Sequence, residues 1–251
     1  KLVLVVRANR RKEMICDFLP AESMTDALGE MRLAVDTVFR TPTLKFLFVG
    51  GALVAFGMNG LVGWAPTFMA RTHGMSLAEG TLLLGKWGLL AGTAGTLAGG
   101  FLADWLGRYT GRSRMIVSTL GLLLGGPLGL WLLAVRDMSL FVPVFAAAFF
   151  FLTLYNGPVI AAVFDVVPAR IGATVMGAYL LFIHVAGDAI ALPLVGFLSD
   201  RFGIARAIFI LPAASIAGGV VLFFGVRTVL RDIAFVAART TATHPVVKAG
   251  I

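Results

Sequence analysis

Cysteine is nearly absent: Cys16 is the only one in 251 residues. That excludes a disulfide framework and a cysteine-based zinc site. Charge is scarce as well. Only 14% of the residues are charged, against about 25% in soluble domains, which excludes an ordinary soluble fold. Carboxylates are the rarer sign, 13 against 21 Lys and Arg. The short alternating segments of about 10 residues that a membrane barrel needs are missing. So are an HExxH metal site, a GxSxG nucleophile turn and a nucleotide-binding glycine loop, so nothing points to an enzyme or a cofactor.

What the chain has is apolar length. Hydrophobic residues make up 59% and the mean hydropathy is +0.93. Six runs, at 44–70, 81–106, 114–135, 140–167, 173–198 and 206–230, are continuous and long. A bilayer core takes about 20 apolar residues per helix, so the reading is an all-α polytopic membrane protein with six transmembrane helices. The opening "KLVLVV" is too short to span. It reads as the tail of an earlier helix, with the sequence expected to be part of a longer chain.

Three regions follow. Residues 1–43 are the end of a preceding helix plus a linker, 44–230 the transmembrane bundle and 231–251 a tail. In the linker, "SMTDALGEMRLAVDTVFR" places Met24, Leu28, Met31, Val35 and Val38 at helical spacing, with Ser23 and Asp26 in a capping-box pattern. It is either a helix on the membrane surface or a connector between two bundles. Basic residues sit at helix ends rather than on one soluble face, which argues against nucleic acid despite a net charge of +8. With the first span starting inside, 13 Lys and Arg lie inside against 4 outside. The positive-inside rule then puts both ends in the cytoplasm.

The chain repeats one phrase. "GFLADWLG" at 100–107 returns as "GFLSDRFG" at 196–203, each closing an apolar run with a carboxylate and a glycine. Three helices separate the two sites, so Asp104 and Asp200 fall on opposite faces of the membrane. Spans 1–3 and 4–6 are then two inverted three-helix repeats, an architecture of secondary transporters. Gly107 and Gly203 are expected to supply positive φ at the helix exits.

"GFLADWLGRYTGR", Gly100 to Arg112, resembles the cytoplasmic loop signature of the major facilitator superfamily, departing at Tyr109 where a basic residue is usual. Six spans resemble the C-terminal half of that fold. "WAPTF" at 64–68, "NGPVIAAVFDVVPAR" at 156–170 and "IHVAGDAIALPLVGFLSDRFG" at 183–203 are similar to the Spinster branch. The resemblance implies a transporter working by alternating access in the cell (inner) membrane, with an N-terminal six-helix half as partner and a lipid-like cargo such as a lysophospholipid or sphingolipid. It also implies a cytoplasmic gate at Gly100, Asp104, Gly107, Arg108 and Arg112.

Polar groups inside apolar runs are costly and ask for a reason. His184 and Asp188 are four apart and share a helix face. They form either a proton-sensitive pair or a packing pair. Lys86 could meet an anionic head group or snorkel to the interface. Asn59 and Asn156 could bind substrate or join helices. Asp165 is read as an interfacial group near Arg170. Phe149, Phe150, Phe151 and Tyr155 are candidates for an apolar cargo slot, or for core and lipid contacts. Gly88, Gly92, Gly95, Gly99 and Gly100 form a small-residue stripe on the second span. Pro127, Pro158, Pro193 and Pro212 are kink candidates. Two rivals stay open: a carrier of small organic anions or drug-like compounds, and a non-transporting receptor or scaffold.

Overall fold

The computed structural model describes residues 24–243. "KLVLVV", the basic run at 7–12, Ser23 and the chain from 244 on lie outside them. Among the described residues there is no strand. A helix α1 (Met24–Arg40) leads into α2 (Pro42–His73), α3 (Leu77–Gly107) and α4 (Ser113–Leu132), which are spans 1 to 3. Span 4 is α5 (Met138–Thr153) followed by α6 (Asn156–Asp165). Span 5 is a 3₁₀ turn (Ala169–Ile171), α7 (Gly172–Ile183), a π-turn (His184–Asp188) and α8 (Ala189–Phe202). A short α9 (Ile204–Ala207) precedes α10 (Ile210–Thr243), span 6, which runs as one helix past residue 230. Six helical segments are long and apolar enough to cross a membrane, as the six runs predict.

Local chemistry sets the boundaries. Pro42 opens α2, where its missing N–H costs nothing. Gly74 closes it in the left-handed conformation at φ 68°. Ser76 and Glu79 start α3 as a reciprocal capping box, with bonds of 3.2 and 2.9 Å. Asp137 caps α5 by accepting the Ser139 N–H at 2.9 Å. Gly203 turns the chain between α8 and α9 at φ 81°, ψ 149°, a conformation open essentially to glycine alone. Gly107 differs from expectation. Its φ is not positive; it ends α3 in a right-handed turn tightened by the Arg108 N–H onto Trp105 and Leu106. A side chain there would press on Ser113 Oγ at 3.3 Å, so Gly107 serves close approach.

The spans alternate in direction. The near face holds the start of α2, the α3–α4 turn, the α6–α7 turn and the extension of α10. It is tied by Arg114 to Asp165, by Arg170 to Glu30 at 3.6 Å, and by Asp232 to Thr43. Asp165 therefore pairs with Arg114 on α4, and Arg170 with α1. The far face gathers Phe68, Met69, Val135, Phe141 and Ile204 into one buried cluster. There the His73 ring also meets the Val135 carbonyl at 3.2 Å. Asp104 ends span 2 at the near face and Asp200 ends span 5 at the far face.

Packing repeats with that inversion. Span 1 packs on span 6 as span 4 packs on span 3, and spans 3 and 6 pack on each other. Span 2 lies against span 4 as span 5 lies against span 1. Exchanging the triplets leaves this pattern of neighbours unchanged, as a pseudo-twofold axis in the membrane plane requires. Spans 2 and 5, which are partners in this exchange, are the least covered: only 17% of the most apolar stretch of each is buried, against 39–56% in the other four spans. The glycine stripe of α3 fits inside the bundle. A Cβ on Gly95 would lie 2.2 Å from the Phe150 carbonyl, and one on Gly99 would lie 2.1 Å from that of Leu154. The stripe lets α3 rest directly on the backbone of span 4.

α1 lies against the start of α2, the 3₁₀ turn and α7, burying Ala34 and packing Val38 on the near-face core. Leu28, Met31 and Val35 of its predicted apolar stripe are exposed.

Candidate functional site

Two polar crossings mark the middle of the bundle. Each begins with an Asn-Gly pair on the first span of its triplet: Asn59-Gly60 on α2, and Asn156-Gly157 at the start of α6. Asn59 Nδ2 donates to Asp188 Oδ1 at 2.7 Å, joining span 1 to span 5. Asn156 Nδ2 donates to Thr96 Oγ1 at 3.3 Å, joining span 4 to span 2. Each bridge runs from the first span of one triplet to the second span of the other, so exchanging the triplets exchanges the two bridges.

The first crossing is charged. His184 Nδ1 and Asp188 Oδ2 are 2.5 Å apart across the π-turn. A carboxylate oxygen so close takes the hydrogen on Nδ1, and Nε2 is the ring nitrogen without a partner among the described residues. Asp188 is three-quarters buried and receives two bonds; the His184 side chain is 61% exposed, so its free edge faces outward. The π-turn is seated on α2 through Gly187, where a Cβ would lie 2.6 Å from the Ala52 carbonyl. Such turns insert one residue into a helix and are common at functional sites. Tyr155 packs on the near-face core.

The second crossing floors a groove. A cavity of about 670 Å³ runs between α2, α3 and span 4, with Asn156, Thr96 and Thr153 at its inner end and Leu61, Leu84, Leu89, Phe145 and Phe149 along its walls. That size and mostly apolar lining suit a small-molecule site. Gly85, Gly88 and Gly92 widen it by omitting side chains.

The structure brings Asn59, His184 and Asp188 into one hydrogen-bonded set and places Asn156 in the groove wall. Of the aromatic slot candidates, Phe149 lines the groove; Phe150 and Phe151 do not. Lys86 stands outside the lining, 5.6 Å from the centre of the Trp87 ring. Asp104, Arg108 and Arg112 are at the near-face turn, where the Arg112 N–H bonds Thr110 Oγ1 at 3.2 Å. Thr93 and Thr96 are groove residues that the charge-centred reading of the sequence passes over. Their signal is there: they are three apart, on one face of α3, beside the glycine stripe. Among the described residues no group of three or more His, Cys, Asp or Glu is placed to hold a metal ion.

Comparison with known proteins agrees with this geometry. The family described as Major Facilitator Superfamily matches residues 17–187. A protein of Mycolicibacterium smegmatis named "MFS-type efflux pump" is 31% identical over 205 residues, covering 78% of this chain and 47% of its own length. Two crystal structures share the fold, both of a bacterial homolog to the human lysosomal transporter Spinster in an inward-facing conformation. The unoccupied form has a TM-score of 0.73 at 19% identity, over 85% of this chain and 53% of that one. The occupied form has a TM-score of 0.67 at 20% identity, over 78% and 51%. The chain spans about half the length of the relatives it matches.

Proposed function

The chain belongs to the major facilitator superfamily, and on that premise we propose that it forms the C-terminal six-helix half of a proton-coupled secondary transporter for a lipid-like or amphiphilic substrate. Its partner is an N-terminal six-helix half, set against the little-buried spans 2 and 5, and the two halves rock about a central site. The near face, with Arg108, Arg112, Arg114 and Arg170, is the cytoplasmic side of the cell membrane. Asp104 with Arg108 and Arg112 latches that side.

One observation carries the reading. The charged triad His184–Asp188–Asn59 and the groove share one span, α2: the triad joins it to span 5, and the groove lies between it, α3 and span 4. The groove supports an amphiphile because its walls are apolar and its inner end is polar. The triad supports proton coupling because one ring nitrogen of His184 lies against the Asp188 carboxylate and the other, Nε2, has no partner among the described residues. Protonation then adds a charge beside the π-turn, a segment whose register shift would turn α7 against α8.

The test uses the full-length protein in proteoliposomes with two fluorescent amphiphiles, a lysophospholipid and a monoacylglycerol, and an imposed pH gradient. His184→Gln and Asp188→Asn should each abolish gradient-driven accumulation while leaving downhill exchange measurable. Undiminished accumulation in both variants removes the coupling role. Absence of flux for any amphiphile removes the substrate class. A second reading, export of a drug-like compound, is favoured by the relative named an efflux pump. Accumulation of a hydrophobic dye in place of either amphiphile would select it.

A further inference from the structure

The two crossings are copies in position, but one carries ionisable groups and the other none. At the span 1–span 5 crossing, Asn59 holds a carboxylate that holds a histidine. At the span 4–span 2 crossing, Asn156 holds a threonine hydroxyl. No residue lining the groove is ionisable. Lys86 faces Trp87 rather than the groove, and Asp188 is engaged on the span 5 side of α2.

The polar capacity that the groove leaves open can be read atom by atom. Thr81 Oγ1 gives its hydrogen to the Leu77 carbonyl at 2.7 Å, and Thr153 gives its own to Phe149 at 2.8 Å. Asn156 spends one N–H on Thr96. What remains is the other Asn156 N–H, the Asn156 carbonyl oxygen and the Thr96 hydroxyl hydrogen, together with the Thr93 hydroxyl, which has no partner among the described residues. This is a balanced set of donors and acceptors with no counter-charge. A hydroxyl or amide satisfies it. An ion placed there would lose its hydration with nothing opposite in return.

We propose that Thr93, Thr96 and Asn156 form the head-group subsite of the groove, and that it selects an uncharged, hydroxyl-bearing amphiphile over an anionic or cationic one. The inverted repeat then divides its labour: the neutral crossing receives the cargo head, and the charged crossing on the far side of α2 takes the proton. Cargo and proton do not compete for the same atoms. This inference rests on the amphiphile reading above and adds the charge of the head.

The experiment compares three probes with one alkyl chain in competition binding to the full-length protein: a monoacylglycerol, an alkyl phosphate and an alkyl ammonium. The monoacylglycerol should bind at least tenfold tighter than either ion. Thr96→Val and Thr93→Val should each weaken it about five-fold, the effect of one lost hydrogen bond. Thr96→Ser should restore binding, and a probe with both hydroxyls methylated should not distinguish the variants. Thermal midpoints within the spread of the wild type certify folding, and Thr96→Ser serves as the folded reference where a Val variant fails that check. Equal or tighter binding of a charged probe, or indifference to the loss of both hydroxyls, overturns the subsite while leaving the amphiphile reading in place. If none of the three probes binds, the amphiphile reading falls and takes this inference with it.

Discussion

Asp232, near the end of the last span, closes onto Thr43, at the start of the first. Its Oδ2 accepts the Thr43 backbone N–H at 2.9 Å and the Thr43 hydroxyl at 2.7 Å. The residues are 189 positions apart, and both are buried. The carboxylate caps a buried N–H in the first turn of a 32-residue helix, where the dipole also favours negative charge. Asp232→Ala should cost about 2–3 kcal/mol, because a charge-assisted bond is lost and a buried N–H is left unmet. Asp232→Asn should cost less. Thermal unfolding of the two variants beside Thr43→Val checks this, and additive effects of the Ala and Val changes would refute direct coupling.

Arg114 and Asp165 join α4 to span 4 at the near face, each about one-third exposed. Solvent screening limits such a pair to about 1 kcal/mol. A double-mutant cycle with Arg114→Ala and Asp165→Ala should give a coupling of that size, falling at high salt. Exchanging the two residues should recover part of it. Zero coupling at low salt would show the contact to be energetically idle.

The glycines of α3 should separate into two classes on substitution by alanine. Gly95→Ala and Gly99→Ala drive a methyl into the span 4 backbone and should destabilise by about 1–3 kcal/mol. Gly85→Ala meets nothing within 4 Å and should stabilise, since alanine exceeds glycine in helix propensity by up to about 1 kcal/mol. Uniform effects along the stripe, read as shifts in thermal midpoint, would contradict the packing described.

Asp137 gives a pH dependence with a definite sign. The backbone N–H of Ser139, and then its hydroxyl, hold the Asp137 carboxyl below the usual carboxylate range. A carboxyl lowered on folding contributes stability that is present above its unfolded pKa and lost as pH falls through the folded one. Asp137→Asn should therefore be less stable than the wild type at neutral pH, and the gap should close on acidification below the carboxylate range. A gap that persists unchanged in acid would show that the cap acts without its charge.

Much of the architecture was legible from the residues. The six runs needed only length and apolarity, and the repeated Gly-Phe-Leu-x-Asp phrase exposed the inversion by parity alone. Asn59, His184, Asp188 and Asn156 stood out because polarity inside an apolar run is rare. Their partners did not. Nothing in the residues near Asp165 chooses Arg114, 51 positions upstream, over Arg170, five positions away. Thr96 was hidden because threonine is cheap in a membrane helix, so its presence there signals nothing.

The sequence by itself determined which segments are long and apolar enough to cross a membrane and that the two triplets are inverted copies, because bilayer thickness acts on local stretches of chain. Only the tertiary structure decided which face of each helix meets which neighbour, that His184 and Asp188 sit on a π-turn, and that the groove's polar end is uncharged. Helices apolar on all sides carry little periodic signal of facing; contact between backbones at Gly95, Gly99 and Gly187 sets it instead.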